Sequence, residues 1–274
     1  MNNYILYVIL ILSGLFGTYA IIPLFRNLLI ESNVLRPNYK NEMIPVSMGI
    51  VFIPMLIINS IILAYFTINL NHMLHIFIFL FGLVSMFFAG IIDDIIGNRD
   101  VSGLKGHFKS LLSGKLTTGG FKALFGGFIG VVISIAISQN IYDIIINTLI
   151  IALSTNLMNL LDLRPGRAIK GYLLISILFL FTLDGYTKNI LLLILPNVVA
   201  YFNQDLKAKA MMGDTGSNVL GISIGILFVM GYSLKVRVLW LVFLIFIHIL
   251  TEKYSLTKII ENNKFLNFVD KLGR

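Results

Sequence analysis

The chain has 274 residues, 57% hydrophobic and only 12% charged, with a formal net charge of +8. A mean hydropathy of +0.91 and several apolar runs near twenty residues describe an all-α, polytopic membrane protein with no room for a soluble domain. The absence of cysteine excludes disulfides, thiol catalysis and cysteine metal sites, and in so apolar a chain the positive excess reads as membrane topology rather than nucleic-acid binding.

A helix rises about 1.5 Å per residue, so roughly 20 residues cross a hydrocarbon core of about 30 Å. On that measure the apolar runs predict about nine spans, at 3–25, 44–67, 73–92, 119–138, 142–160, 168–184, 187–203, 217–232 and 236–254. The first run has no basic stretch ahead of it, and Arg26, Arg36 and Lys40 come after it. It therefore reads as a retained span with its N-terminus outside, not as a signal peptide. Residues 1–274 form a single membrane-embedded domain on this reading. Loops 26–43, 93–118, 161–167 and 204–216, and a basic tail at 255–274 that ends in the cytoplasm, share one face. Of the 21 Lys and Arg, all but Lys188, Lys235 and Arg237 fall on that cytoplasmic side, the asymmetry expected of the positive-inside rule.

Carboxylates contribute little to orientation, so their positions carry separate information. The stretch FFAGIIDDIIGN ends the third span on Asp93 and Asp94. A helix C-terminus carries partial negative charge, so a carboxylate there costs about 0.3–1 kcal/mol, and two adjacent ones repel. A divalent metal or a lysine would offset both effects. Hard oxygen donors favour Mg²⁺, with Mn²⁺ as the other choice, over zinc. The plain alternative is a solvated pair marking the end of the span.

The loop GNRDVSGLKGHFKSLLSGKLTTGG follows. Lys105 and Lys109, spaced i and i+4, can share a face and neutralise a pyrophosphate or the acidic pair, whereas His107 reads as solvent-facing. In NLMNLLDLRPGRAIKG, helical spacing sets Asn156, Asn159 and Asp162 in one polar stripe. Amides and a carboxylate in an apolar segment need partners in a bundle or cavity. Pro165 stops that helix, and Arg164 and Arg167 present planar donors suited to phosphate. Interhelical contact plus topological charge is the simpler reading of the same residues. In AMMGDTGSNVLG, glycines at a helix start let backbone N–H groups approach a phosphate, while Asp214 is placed to hold Mg²⁺ against it. Asp214, Thr215 and Ser217 also qualify as ordinary N-caps. By the parity of the spans, Asp93–Asp94, Asp162 and Asp214 all reach the same cytoplasmic face.

With these residues assembled, the sequence resembles the polyprenyl-phosphate N-acetylhexosamine-1-phosphate transferase family, which includes phospho-N-acetylmuramoyl-pentapeptide transferase and GlcNAc-1-phosphate transferases. IPVSMGIVF is similar to its P-x-x-G-G segment, GIIDDIIG to its paired-Asp motif, NLMNLLDL to N-x-x-D-G-x-D-G, and MMGDTGS to M-G-D-[TS]-G-S. The resemblance implies that Asp93, Asp94 and Asp162 are catalytic, that Asp214 and Asp94 bind Mg²⁺, and that the stripe of Asn156, Asn159 and Asp162 helps hold a UDP-sugar. It makes Lys105 or Lys109 the active-site lysine. The implied partners are a polyprenyl phosphate, a UDP-sugar and the bilayer, with a homodimer allowed.

The chain departs from the family pattern at Asn159, which replaces an Asp, and at Leu163, which replaces a Gly. The run LRPGRA stands where the glycine-rich turn would be, and Arg164 and Arg167 are expected to meet phosphates there. The family's His-rich loop is absent, leaving His248 alone in an apolar run. Two other classes fit less well: a transporter or flippase of an anionic solute or lipid, and a non-catalytic relative that binds a lipid or partner. The runs of Ile, Asn, Lys and Phe suggest a bacterial source, and hence a plasma-membrane location.

Overall fold

The computed structural model describes residues 3–97, 110 and 113–274. It opens on helix α1 (Asn3–Glu31). An antiparallel hairpin of β1 (Leu35–Pro37) and β2 (Met43–Pro45) follows, with Arg36 opposite Ile44. A 3₁₀ turn (Met48–Val51) leads into α2 (Phe52–Tyr65), and then come α3 (Leu70–Ile96), α4 (Thr118–Ile137) and α5 (Ile141–Leu161). The second half holds α6 (Arg167–Thr182), α7 (Gly185–Leu191), α8 (Leu195–Leu206), α9 (Gly213–Gly231), α10 (Leu234–Lys253), α11 (Leu256–Asn262) and α12 (Lys264–Lys271). Short polar caps start several of these helices. Asn69 accepts from the N–H groups of Asn71 and His72, Thr117 from Gly120, and Asn140 from Asp143.

Among the described residues, seven helical segments are long and apolar enough to cross a membrane: α1, the 3₁₀ turn with α2, α3, α4, α5, α9 and α10. The two expected spans at 168–184 and 187–203 take another form. Helix α6 has 16 residues, and the second stretch is broken into α7 with 7 residues and α8 with 12. Pro196 sits in the first turn of α8, where its missing N–H costs no helical hydrogen bond and its ring disfavours continuation from the preceding turn. Leu191, Leu193 and Ile194 at the break are buried, which shields the interruption inside protein.

Helix α9 is the centre of the bundle. Every residue from Thr215 to Val229 is buried, and the helix packs chiefly on α5 and α3. Gly221 and Gly225 make the approach to α5 possible: a Cβ would lie 2.4 Å from Thr155 Cα at the first and 2.7 Å from Ile151 Cα at the second. Small residues one turn apart let two membrane helices touch backbone to backbone, where van der Waals packing replaces a hydrophobic driving force. Helix α10 lies at the other extreme and fully buries only Leu241 and Leu244. Its stacking of Trp240 on Phe228 at 4.3 Å ties it to α9.

Replacing Gly225 with Leu forces α9 off α5. The expected loss is about 1–3 kcal/mol of stability or more, read as a lower unfolding temperature of the purified protein in detergent.

Candidate active site

Three helix ends converge where α9 begins. The last turn of α3 supplies Asp93 and Asp94, the end of α5 supplies Asn159 and Asp162, and the start of α9 supplies Asp214. The fourth contributor is Lys122, in the first turns of α4. Its Nζ lies 3.1 Å from Asp93 Oδ2 and in close contact with Asp214 Oδ2. All three side chains keep 16–22% exposure, so this charged row is open on one side. Oriented to satisfy both neighbours, the Asn159 amide donates to Asp214 Oδ1 at 2.6 Å and to Ser217 Oγ at 3.2 Å. Its oxygen accepts from Lys122 Nζ at 3.2 Å.

The paired aspartates have different environments. Asp94 is buried, and its oxygens are occupied. Oδ1 accepts from the Asp214 N–H at 3.0 Å, and Oδ2 accepts from the Thr215 N–H at 3.0 Å, from Thr215 Oγ1 at 2.6 Å and from Ser47 Oγ at 3.0 Å. A carboxylate thus caps the positive end of α9 and satisfies N–H groups the helix leaves free. Gly213 is required beside it: its φ is +72°, and a Cβ would lie 2.4 Å from Asp94 Oδ2. Ser47, also in the left-handed region at φ 65°, presents the loop's hydroxyl to the same oxygen. The loop is fixed further by Met48 and Gly49 N–H groups donating to the carbonyls of Met211 and Met212 at 3.1 and 2.9 Å. Arg36 donates to the carbonyl of Asp94 at 2.7 Å, which offsets the negative end of α3. The sequence reading put Asp94 at the metal. Here it is the clamp between α3 and α9, and the open carboxylates are Asp93 and Asp214.

The other expected residues divide. Asn159 lies in the charged row, and Asn156 is half-buried one turn earlier on α5. Asp162 is half-buried behind the row; burial, then the negative charge of Asp205, Asp214 and Asp94, pushes it well above the usual carboxylate range. Arg164 is partly exposed, with Nη2 3.8 Å from Glu261. Arg167, expected to meet a phosphate, is buried and engaged elsewhere. Its Nε and Nη2 bind Asp270 at 2.8 and 3.0 Å, and Nη1 donates to Thr257 at 2.9 Å. A bidentate guanidinium–carboxylate pair leaves no donor fork for a phosphate. The tail is therefore folded back onto the start of α6 rather than serving only as topological charge. His248 donates Nδ1–H to the Leu244 carbonyl at 2.7 Å within α10. Lys105, Lys109 and His107 lie outside the described residues.

Sequence reasoning missed Lys122, which it counted only as flanking charge. One signal was present: in TTGGFKALFGG a cation enters an apolar span, a costly position unless a carboxylate meets it.

Residues 76–232, more than half of the chain and all of the row from Asp93 to Asp214, match Glycosyl transferase family 4. The chain belongs to that family. Similar curated proteins include the phospho-N-acetylmuramoyl-pentapeptide-transferases of Thermotoga neapolitana and Thermotoga maritima. The first is 29% identical over 164 residues, covering 56% of this chain and 52% of the relative. The second is 33% identical over 158 residues, covering 53% and 50%. The chain thus matches about half the length of each of these curated relatives.

The donor set of this family member suits a hard cation. Asp93 and Asp214 direct carboxylate oxygens to one point, where the Lys122 ammonium stands as the positive charge. No group of three His, Cys, Asp or Glu gathers there among the described residues. Two carboxylates are a donor set that Mg²⁺ accepts only where substrate phosphates and water complete its shell.

The two aspartates should separate in experiment. Asp94→Ala leaves two N–H groups of α9 and two hydroxyls without their acceptor, and should lower stability by about 2–4 kcal/mol in chemical or thermal unfolding. Asp93→Asn should unfold close to wild type. Arg167→Ala removes the bidentate partner of buried Asp270 and leaves it only Arg274, so limited proteolysis should release the 255–274 segment faster than from wild type.

Proposed function

We propose that this protein transfers a sugar 1-phosphate, from the N-acetylated hexosamine class, from a UDP-sugar to a polyprenyl phosphate and releases UMP. The reaction would serve bacterial cell-envelope polysaccharide synthesis at the cytoplasmic face of the plasma membrane. The observation that carries this reading is the Asp93–Lys122–Asp214 row at the junction of three helix ends. Its family match and the relatives' names support a transferase. A transporter would distribute ionisable groups along its path, whereas these carboxylates gather at one end of the bundle.

In the proposed reaction an oxygen of the polyprenyl phosphate attacks the β-phosphorus of the UDP-sugar. The bond from that phosphorus to the bridging oxygen breaks, and UMP leaves with the electron pair. A phosphate monoester is already largely ionised near neutral pH, so Asp93 mainly orients the acceptor and takes any remaining proton. Lys122 supplies a fixed positive charge where charge builds on the equatorial oxygens, and Asn159 holds the Lys122–Asp214 pair in register. When bound, Mg²⁺ or Mn²⁺ held by Asp93 and Asp214 would neutralise pyrophosphate oxygens. Asp94 acts at one remove, by fixing the backbone from which Asp214 projects. Catalysis is then mostly positioning and electrostatics.

The test uses the full chain in detergent with undecaprenyl phosphate, Mg²⁺ and a panel of UDP-sugars, following UMP. UMP should form with one sugar and be lost in Asp93→Asn and Asp214→Asn, while Lys122→Ala should lower kcat by about 10²–10³. Folded protein that forms no UMP with any sugar overturns the reading.

A further inference from the structure

A groove between α1 and α8 stands apart from this chemistry. It encloses about 550 Å³, with Tyr19, Ile22 and Pro23 along one wall and Arg26, Asn27, Gln204 and Lys209 supplying polar groups. Two cations face the cavity, and among the described residues no carboxylate lines it. Arg26 Nε is buried and finds no hydrogen-bond partner among the described residues. A guanidinium within a membrane-spanning helix is costly without a counter-charge, and the described residues provide none at the groove. An anion from outside the chain would supply it.

Position selects the source. Arg26 stands about five residues, roughly 8 Å, from the end of α1, a depth near the boundary between hydrocarbon and headgroups. Helix α1 is outward-facing there, exposing Phe16, Tyr19 and Leu24. Lys209 is brought to the opposite side by a tight end to α8. Its N–H donates to the Gln204 carbonyl at 3.0 Å, and the preceding Ala208 adopts φ 50°, a conformation that L-residues other than Gly, Asn and Asp rarely hold. Strain of this kind persists where surrounding structure requires the placement.

The geometry points to a binding site for the phosphate of an anionic membrane lipid, its headgroup between Arg26 and Lys209 and its chain along Tyr19, Ile22 and Pro23. The apolar wall distinguishes this ligand from free phosphate, which would gain nothing from it. The site is independent of the transferase reading and needs no turnover to be detected.

Native mass spectrometry of the delipidated full chain tests it with three probes: phosphatidylglycerol, the matching diacylglycerol without phosphate, and inorganic phosphate as competitor. Wild type should retain phosphatidylglycerol and not diacylglycerol, and millimolar inorganic phosphate should leave the lipid bound. Arg26→Gln with Lys209→Gln should weaken retention by about tenfold or more, and Arg26→Lys should preserve most of it. Equal retention by wild type and the double variant overturns the proposal, as does displacement of the lipid by inorganic phosphate. Lys209 is exposed, so Lys209→Gln alone decides in the same direction should the double variant fail to fold.

Discussion

The Asp94 carboxylate at the start of α9 is the contact on which the rest of the site depends. It accepts two backbone N–H groups and two hydroxyls, from α9 and from the Ser47 loop. The N-terminus of a helix attracts negative charge, and a C-terminus repels it. Asp94 stands at both at once, near the end of α3 and against the start of α9. The arrangement is stable because Arg36 holds the α3 carbonyls and α9 supplies the N–H donors. This junction places Asp214, and Asp214 in turn defines where Lys122 and Asn159 can meet it.

The membrane setting explains why the junction is built from so many polar contacts. Helices in lipid gain little from hydrophobic association, so close packing and interhelical hydrogen bonds must hold them. The bundle uses each at a different level. Gly221 and Gly225 let α9 touch α5 along its middle, and the Asp94 clamp fastens its beginning. Helix α9, buried almost throughout, behaves as a rigid post. Helix α10 packs on α5 with a mostly lipid-facing surface and meets α9 through the Trp240–Phe228 stack.

The open row beside the clamp differs in kind. Asp93, Lys122 and Asp214 retain exposure and alternate in charge, so their pairing is not sealed from the surface. Asn159 contributes without adding a third negative charge to one lysine. The clamp is closed and saturated and the row is open, so adjacent residues of one motif divide between holding the fold and facing the open side of the site.

Much of this was legible in the sequence. Hydropathy determined the membrane class and most spans, because burial in lipid acts on each segment's own composition. Helical spacing and span parity brought Asp93–Asp94, Asp162 and Asp214 to one end, and the GDTGS stretch marked a helix start. Three things were decided only by tertiary structure. Residues 93 and 94 point about 100° apart on a helix, and which one turns inward depends on α9, some 120 positions away. Lys122 became part of the site because α4 packs on α3, which composition cannot report. Arg167 found Asp270, 103 positions along the chain, instead of a phosphate. Local sequence determines what each segment can bury and where it must turn. The partner of each charged group is chosen by the packing of segments distant in sequence, since a buried charge takes whichever opposite charge the fold brings within reach.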